Sequence, residues 1–182
     1  MKQKILKNIE LYIFLVFSLV AVYFFYENKY IPSLDGPQHL YSARLITELL
    51  QGNDFISQYF RFNPVIVGNQ TSLYIMALLM FVFPAWIAEK LFLTLYVAGM
   101  GISFRYFIRS VRPGGTWMYM LIFPFIFTSL FMLGYYNFSL AFVFLFFTLG
   151  YFKRTENRIG TRQLIWLTLL TTLIYLSHAV VF

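Results

Sequence analysis

In the stretch Ile31 to Phe60, IPSLDGPQHLYSARLITELLQGNDFISQYF, an aspartate and a histidine stand four residues apart, Asp35 and His39. On a helix that begins by Asp35 this spacing brings the two side chains close enough for one to orient the other. A carboxylate held in that way suits general-base work on an acceptor hydroxyl, with the imidazole as hydrogen-bond partner or proton shuttle. The plainer reading of Asp35 is a negative charge at a helix start, where the macrodipole favours it. Arg44 and Arg61 have the fork geometry that clamps a phosphate. Arg44 also stands four residues before Glu48 and is placed to pair with it on a helix.

Two further polar residues stand in apolar surroundings. His178 lies in the run Leu164 to Phe182, where an ionisable side chain is costly and marks either a functional group or a bond to a neighbouring helix. Asn137 closes the turn Gly134-Tyr135-Tyr136-Asn137, a turn that Gly134 already accounts for.

The elements that must carry these residues follow from composition. The 182 residues are 60% hydrophobic, 22% aromatic and 12% charged, with no cysteine, whereas a soluble domain carries about 25% charge. This argues against a water-soluble enzyme, a disordered tail, a disulfide scaffold and a thiolate zinc site. A net charge of +7 would suggest nucleic acid in a soluble protein. Here the basic residues fall between apolar runs, so they read as topology signals and no nucleic-acid partner is expected.

The expected fold is all-α, a polytopic transmembrane helix bundle with an amphipathic juxtamembrane helix in the first external loop. Spanning a bilayer core takes about 20 mostly apolar helical residues. Runs near that length predict helices over about 8–27, 85–108, 117–133, 138–152 and 163–182, with a short or re-entrant helix over 72–84 ended by Pro84. The first follows Lys2, Lys4 and Lys7 and ends in bulky aromatics with no small-residue cleavage site, so it reads as a retained signal anchor. Residues 28–71 form the one long polar loop. Within it Pro37 suits a first helical turn and Gly52 a helix end, predicting a surface helix over 37–51 with Leu45, Ile46 and Leu49 on one face.

Basic residues concentrate at the N-terminus, in Arg105 to Arg112 and in Lys153 to Arg162. The positive-inside rule puts all three on the cytoplasmic side, with Asp35, Asn137 and His178 toward the outside. That requires 72–104 to cross once; a two-crossing hairpin there is the alternative and would put both basic loops outside. Glu89 and Lys90 near one end of that span must pair or snorkel. The last run stops at Phe182 without a polar tail, and the expectation is a single transmembrane domain forming the N-terminal part of a longer protein.

Together, LDGPQHLYSARLI, the AEKLF segment, GYYNFSL and YLSHAVVF resemble uncharacterised bacterial membrane proteins with the arrangement of the GT-C superfamily of integral-membrane glycosyltransferases. The resemblance covers most of the chain through short motifs. It implies transfer of a sugar from a polyprenyl-phosphate-linked donor to a cell-envelope acceptor at the outer face of a bacterial inner membrane. Asp35 matches the superfamily's catalytic acidic residue in the first external loop. By inference His39 would orient it, Arg44 or Arg61 would contact phosphate, and Asn137 and His178 would bind sugar hydroxyls or support Asp35. Superfamily members often carry a second acidic residue in the next external turn, sometimes for a metal, but here that turn has no carboxylate. No cofactor is therefore expected, and a divalent metal is left open without being indicated. Expected partners are the lipid bilayer and the lipid-linked donor, with oligomeric state open. The competing reading is a non-catalytic polytopic protein, an assembly partner or a transporter fragment, with breaks at Pro84, Pro124 or Gly99 to Gly101.

Overall fold

The computed structural model describes residues 2–63, 65–114 and 117–182, with side chains described from Ile9 onward; the side chains of Lys2, Lys4 and Lys7 therefore lie outside what is described. The fold is all-helical, and no strand occurs among the described residues. The helices are α1 (Lys2–Tyr23), α2 (Gly36–Leu50), α3 (Asp54–Ser57), α4 (Thr71–Met80), α5 (Ala85–Val111), α6 (Phe123–Ile126), α7 (Ser129–Met132), α8 (Tyr136–Thr155) and α9 (Thr161–Ser177), with a 3-10 turn over Met118–Ile122. Two of them, α5 and α8, are long and apolar enough to cross a membrane.

Local chemistry explains most boundaries. Pro37 stands in the first turn of α2, where its missing N–H costs nothing. Beyond Leu50 the chain closes with Gly52 at φ +73°, its N–H on Leu49 O and that of Asn53 on Glu48 O, a Schellman stop that needs a left-handed residue. Asn53 then caps α3 by accepting from the N–H groups of Phe55 and Ile56. Pro84 precedes α5 with extended ψ.

The expected single helix over 117–133 is not what forms. The segment is a 3-10 turn and two one-turn helices, broken where Phe127 takes ψ 61° and Thr128 is extended. Pro124 has no N–H for a continuous helical ladder, and Thr128 caps α7 by accepting from Phe131 N–H at 3.1 Å. Apolarity alone could not reveal either effect. Other limits move by a few residues: α1 starts at Lys2 and stops at Tyr23, α8 runs from Tyr136 to Thr155, and α9 stops at Ser177 instead of reaching Phe182.

Contacts set the chain directions. Glu10 meets Arg109 and Phe14 meets the Gly101 backbone, while Tyr26 bonds Thr94, so α1 runs antiparallel to α5. Tyr136 meets Glu89, Val143 meets Gly99 and Tyr106 meets Gly150, so α8 runs parallel to α5. The broken segment returns the chain between them. Consequently Arg105, Arg109 and Arg154 gather at one end of the bundle, and α2, α4 and the start of α8 at the other. The core lies along α5, with Phe92, Leu93, Tyr96 and Val97 buried against Tyr119, Ile126, Phe131 and Tyr136. Exposed large apolar side chains outnumber the buried ones, including Leu19, Val20, Leu78, Leu95, Ile102 and Phe125.

Glu89 and Lys90 are buried without forming an ion pair with each other. Glu89 accepts from Tyr136 and Lys90 donates to Asn28 O at 2.5 Å, its ammonium also lying over the rings of Tyr26 and Trp86.

Candidate functional site

The bend at Asp35–Gly36 is pressed between two turns. Asp35 N–H donates to Leu133 O at 2.8 Å, which ties the bend to the turn before α8. Gly134 holds φ +94°, and a Cβ there would lie 2.5 Å from Gly36 N and 3.0 Å from Asp35 N, so only glycine permits this approach. The Asp35 carboxylate is half-buried and, among the described residues, makes no hydrogen bond or ion pair. In particular it does not cap α2, so its benefit to the helix is confined to charge at the N-terminus.

One turn on, His39 donates its backbone N–H to Asp35 O at 3.0 Å and stacks its ring on Tyr136 with centroids 5.6 Å apart. The Asp35 and His39 side chains share no hydrogen bond; their coupling is through space. Burial lowers the His39 pKa below its ordinary 6.5, and the Asp35 charge opposes this only in part. Burial thus favours the neutral imidazole, which has a lone pair to offer.

Asp35, Gln38, His39, Ser42, Asn69, Tyr135 and His178 line one polar cavity of about 490 Å³. His178 reaches it as the residue that ends α9, with its N–H on Ile174 O. Its ring meets Phe138 edge-on at 5.2 Å, and its Nδ1 is buried with no hydrogen-bond partner among the described residues. Asn137 stands behind the cavity wall. It is buried, and its amide binds the backbone of Ser72 and Asn69, so it positions a lining residue instead of lining the cavity. Arg44 pairs with Glu48, the alternative that their spacing offered, and Arg61 is exposed; neither lines the cavity. Among the described residues, no three His, Asp or Glu side chains come close enough to hold a metal ion.

An apolar groove of about 360 Å³ opens beside Tyr136, between Phe24, Phe25, Ile31, Pro32, Phe127 and Phe131. Tyr136 links the two sites, lining the groove and stacking on His39, which lines the cavity.

Two polar arrangements escaped the sequence reading. Under Gly36, the Tyr136 hydroxyl donates to Glu89 at 2.9 Å and lies 3.4 Å from Ser33 Oγ. At the far end, Glu10 is buried between Arg109 at 3.0 Å, Arg105 at 3.7 Å and the Tyr119 hydroxyl. The available signal was the same for both, a carboxylate at the edge of an apolar run.

Fold and site thus define an all-helical chain with two helices long and apolar enough to cross a membrane, and with a polar cavity beside an apolar groove at one end. No protein-family model matches the chain, and neither a curated protein nor a solved structure shows detectable similarity to it.

Proposed function

We propose that this protein is a polytopic membrane glycosyltransferase of the GT-C kind, using a polyprenyl-phosphate-linked sugar at the outer face of a bacterial inner membrane. The observation that carries the reading is the placing of an unbonded carboxylate, Asp35, in a polar cavity adjoining an apolar groove. A sugar joined through phosphate to an isoprenoid chain needs both surfaces, the polar one for the sugar and the apolar one for the lipid. The many exposed apolar side chains suit a lipid solvent, and the gathering of Arg105, Arg109 and Arg154 at the opposite end suits a cytoplasmic placement of that end.

In this mechanism Asp35 accepts the proton of an acceptor hydroxyl as its oxygen attacks the anomeric carbon. The bond from that carbon to the phosphate oxygen breaks with inversion, and the lipid phosphate leaves with the electron pair. His39 and His178 contact sugar hydroxyls across the cavity, and Asn137 holds Asn69 in the wall. With Arg44 paired and Arg61 outside the cavity, neither is assigned a phosphate. The break at Phe127 favours a second reading, a non-catalytic transporter part, because interrupted helices are a transporter device. Against it, the space beside that break is lined by phenylalanines, and the polar cavity is at Asp35.

The test combines topology with activity. Single cysteines replace Leu34, Gly114, Tyr135 and Asn157 in this cysteine-free chain, and intact cells are treated with an impermeant thiol reagent. Labelling at 34 and 135 and protection at 114 and 157 is expected; the reverse pattern overturns the orientation. In membranes supplied with radiolabelled polyprenyl-phosphate sugars, Asp35→Asn should abolish sugar release at unchanged expression. Release by the variant equal to that of the parent would remove Asp35 as base.

A further inference from the structure

Glu89 is nearly inaccessible and sits directly beneath the bend that carries Asp35. Its carboxylate accepts from the Tyr136 hydroxyl at 2.9 Å, and the ring of Tyr136 carries His39 at 5.6 Å. The backbone above is shaped around this pair. A Cβ on Gly36 would fall on Ser33 Oγ, 2.7 Å from the Tyr136 hydroxyl and 3.3 Å from Glu89 Oε1. Gly36 therefore lies against a polar triplet of Ser33, Tyr136 and Glu89, and no side chain fits between. Burying a carboxylate is costly unless it is bonded, and among the described residues Glu89 gains no ion pair in return. What it holds is a single tyrosine that lines the apolar groove and stacks on His39, a residue of the polar cavity.

We infer that Glu89 is the positioning residue of this site: through its bond to Tyr136 it fixes the His39 ring and the Asp35–Gly36 bend relative to the groove. Tyr136 packs on Phe92 and Phe131 as well, so its ring has a fixed seat and its hydroxyl a fixed direction. The inference rests on Asp35 and His39 being the working residues. Its test needs no substrate, so its failure is separate from that of the transferase reading, which is decided by Asp35→Asn.

The chain has two histidines, and labelling the Cε1 carbon of each with carbon-13 gives one signal per ring in detergent, assigned with His178→Gln. The titratable groups around His39 are Asp35 at the start of its own helix, Tyr135 and Tyr136 at the start of α8, and His178 at the end of α9. Glu89→Leu should move the His39 signal and raise its titration midpoint by about half a pH unit or more as the ring leaves its buried seat. Glu89→Gln, which still accepts from Tyr136, should keep both close to the parent, and the His178 signal should hold its position in all. A His39 signal unmoved by Glu89→Leu overturns the inference, as does an equal displacement by Glu89→Gln. Should Glu89→Leu fail to fold, Tyr136→Phe keeps the ring and drops the hydroxyl; His39 should again move, and an unmoved signal is equally fatal.

Discussion

Asn137 and Ser72 are joined by a short buried hydrogen bond, the Ser72 backbone N–H donating to Asn137 Oδ1 at 2.7 Å. The other half of the same amide donates to Asn69 O at 2.8 Å, so one side chain satisfies two backbone groups of the segment entering α4. Asn69 itself has φ 65°, a left-handed conformation that asparagine tolerates better than most residues. The clamp therefore holds a strained corner of the cavity wall in place.

Asn137→Leu should destabilise the protein by about 2 kcal/mol, because the buried Ser72 N–H loses its partner and the more exposed Asn69 carbonyl loses its tether. Asn137→Asp, which keeps the acceptor alone, should fall between. Denaturant unfolding in detergent, followed by tyrosine fluorescence, gives the order; a parental midpoint for Asn137→Leu would show the clamp to be dispensable.

Gly134→Ala combines a left-handed φ with a Cβ only 2.5 Å from Gly36 N. A loss of about 2 kcal/mol is expected from the backbone conformation and the collision together. Gly114→Ala, at a glycine whose Cβ would meet nothing within 4 Å among the described residues, is the control and should cost under about 0.5 kcal/mol. Equal melting temperatures for the two variants would mean that the Leu133–Gly134 turn does not press on the Asp35 bend.

The His39 pKa is lowered in the folded chain, chiefly by burial. Between its ordinary 6.5 and the lower folded value the unfolded chain binds more protons, so stability rises with pH across that window. The stability linked to neutral His39 is thus complete above pH 6.5 and drains away as pH falls below it. His39→Gln should flatten the fall in unfolding midpoint between pH 6.5 and 5; an undiminished slope would assign the fall to other groups.

Glu10 is almost wholly enclosed, whereas the Arg105 and Arg109 side chains keep 26% and 34% of their exposure. Glu10→Leu strands two guanidinium groups against Tyr119, and a loss of up to about 3 kcal/mol is expected, below that of a fully enclosed pair because water reaches the arginines. The double change Glu10→Leu with Arg109→Leu should recover part of it. Additive losses in the double variant would show that the two residues do not interact.

Features written in neighbouring residues were legible from the sequence. Pro37 and Gly52 bracket α2, Pro84 precedes α5, and the Arg44–Glu48 pair is a one-turn relationship. Asp35, His39 and His178 were singled out by residue type and predicted side, and the fold places all three on one cavity. Hidden features depend on distant partners or on competition within an apolar run. Tyr136 meets Glu89 across 47 residues and Arg109 meets Glu10 across 99, and no local pattern encodes such a pairing. In segment 117–133, apolar enough for a helix, Pro124 was a visible candidate for a break, whereas the cap that the Thr128 hydroxyl supplies to α7 was not.

That broken segment carries a consequence for how the protein is made. At the break the Ile126 carbonyl lacks a place in a regular helix and is satisfied by the Tyr96 hydroxyl of α5 at 2.9 Å. In hydrocarbon an unsatisfied carbonyl costs several kcal/mol, so on the membrane reading residues 117–133 cannot leave the insertion machinery as an independent unit. They must wait beside α5 and enter lipid already docked to it. An insertion assay should find this segment poorly retained on its own and well retained behind α5, with Tyr96→Phe weakening that retention.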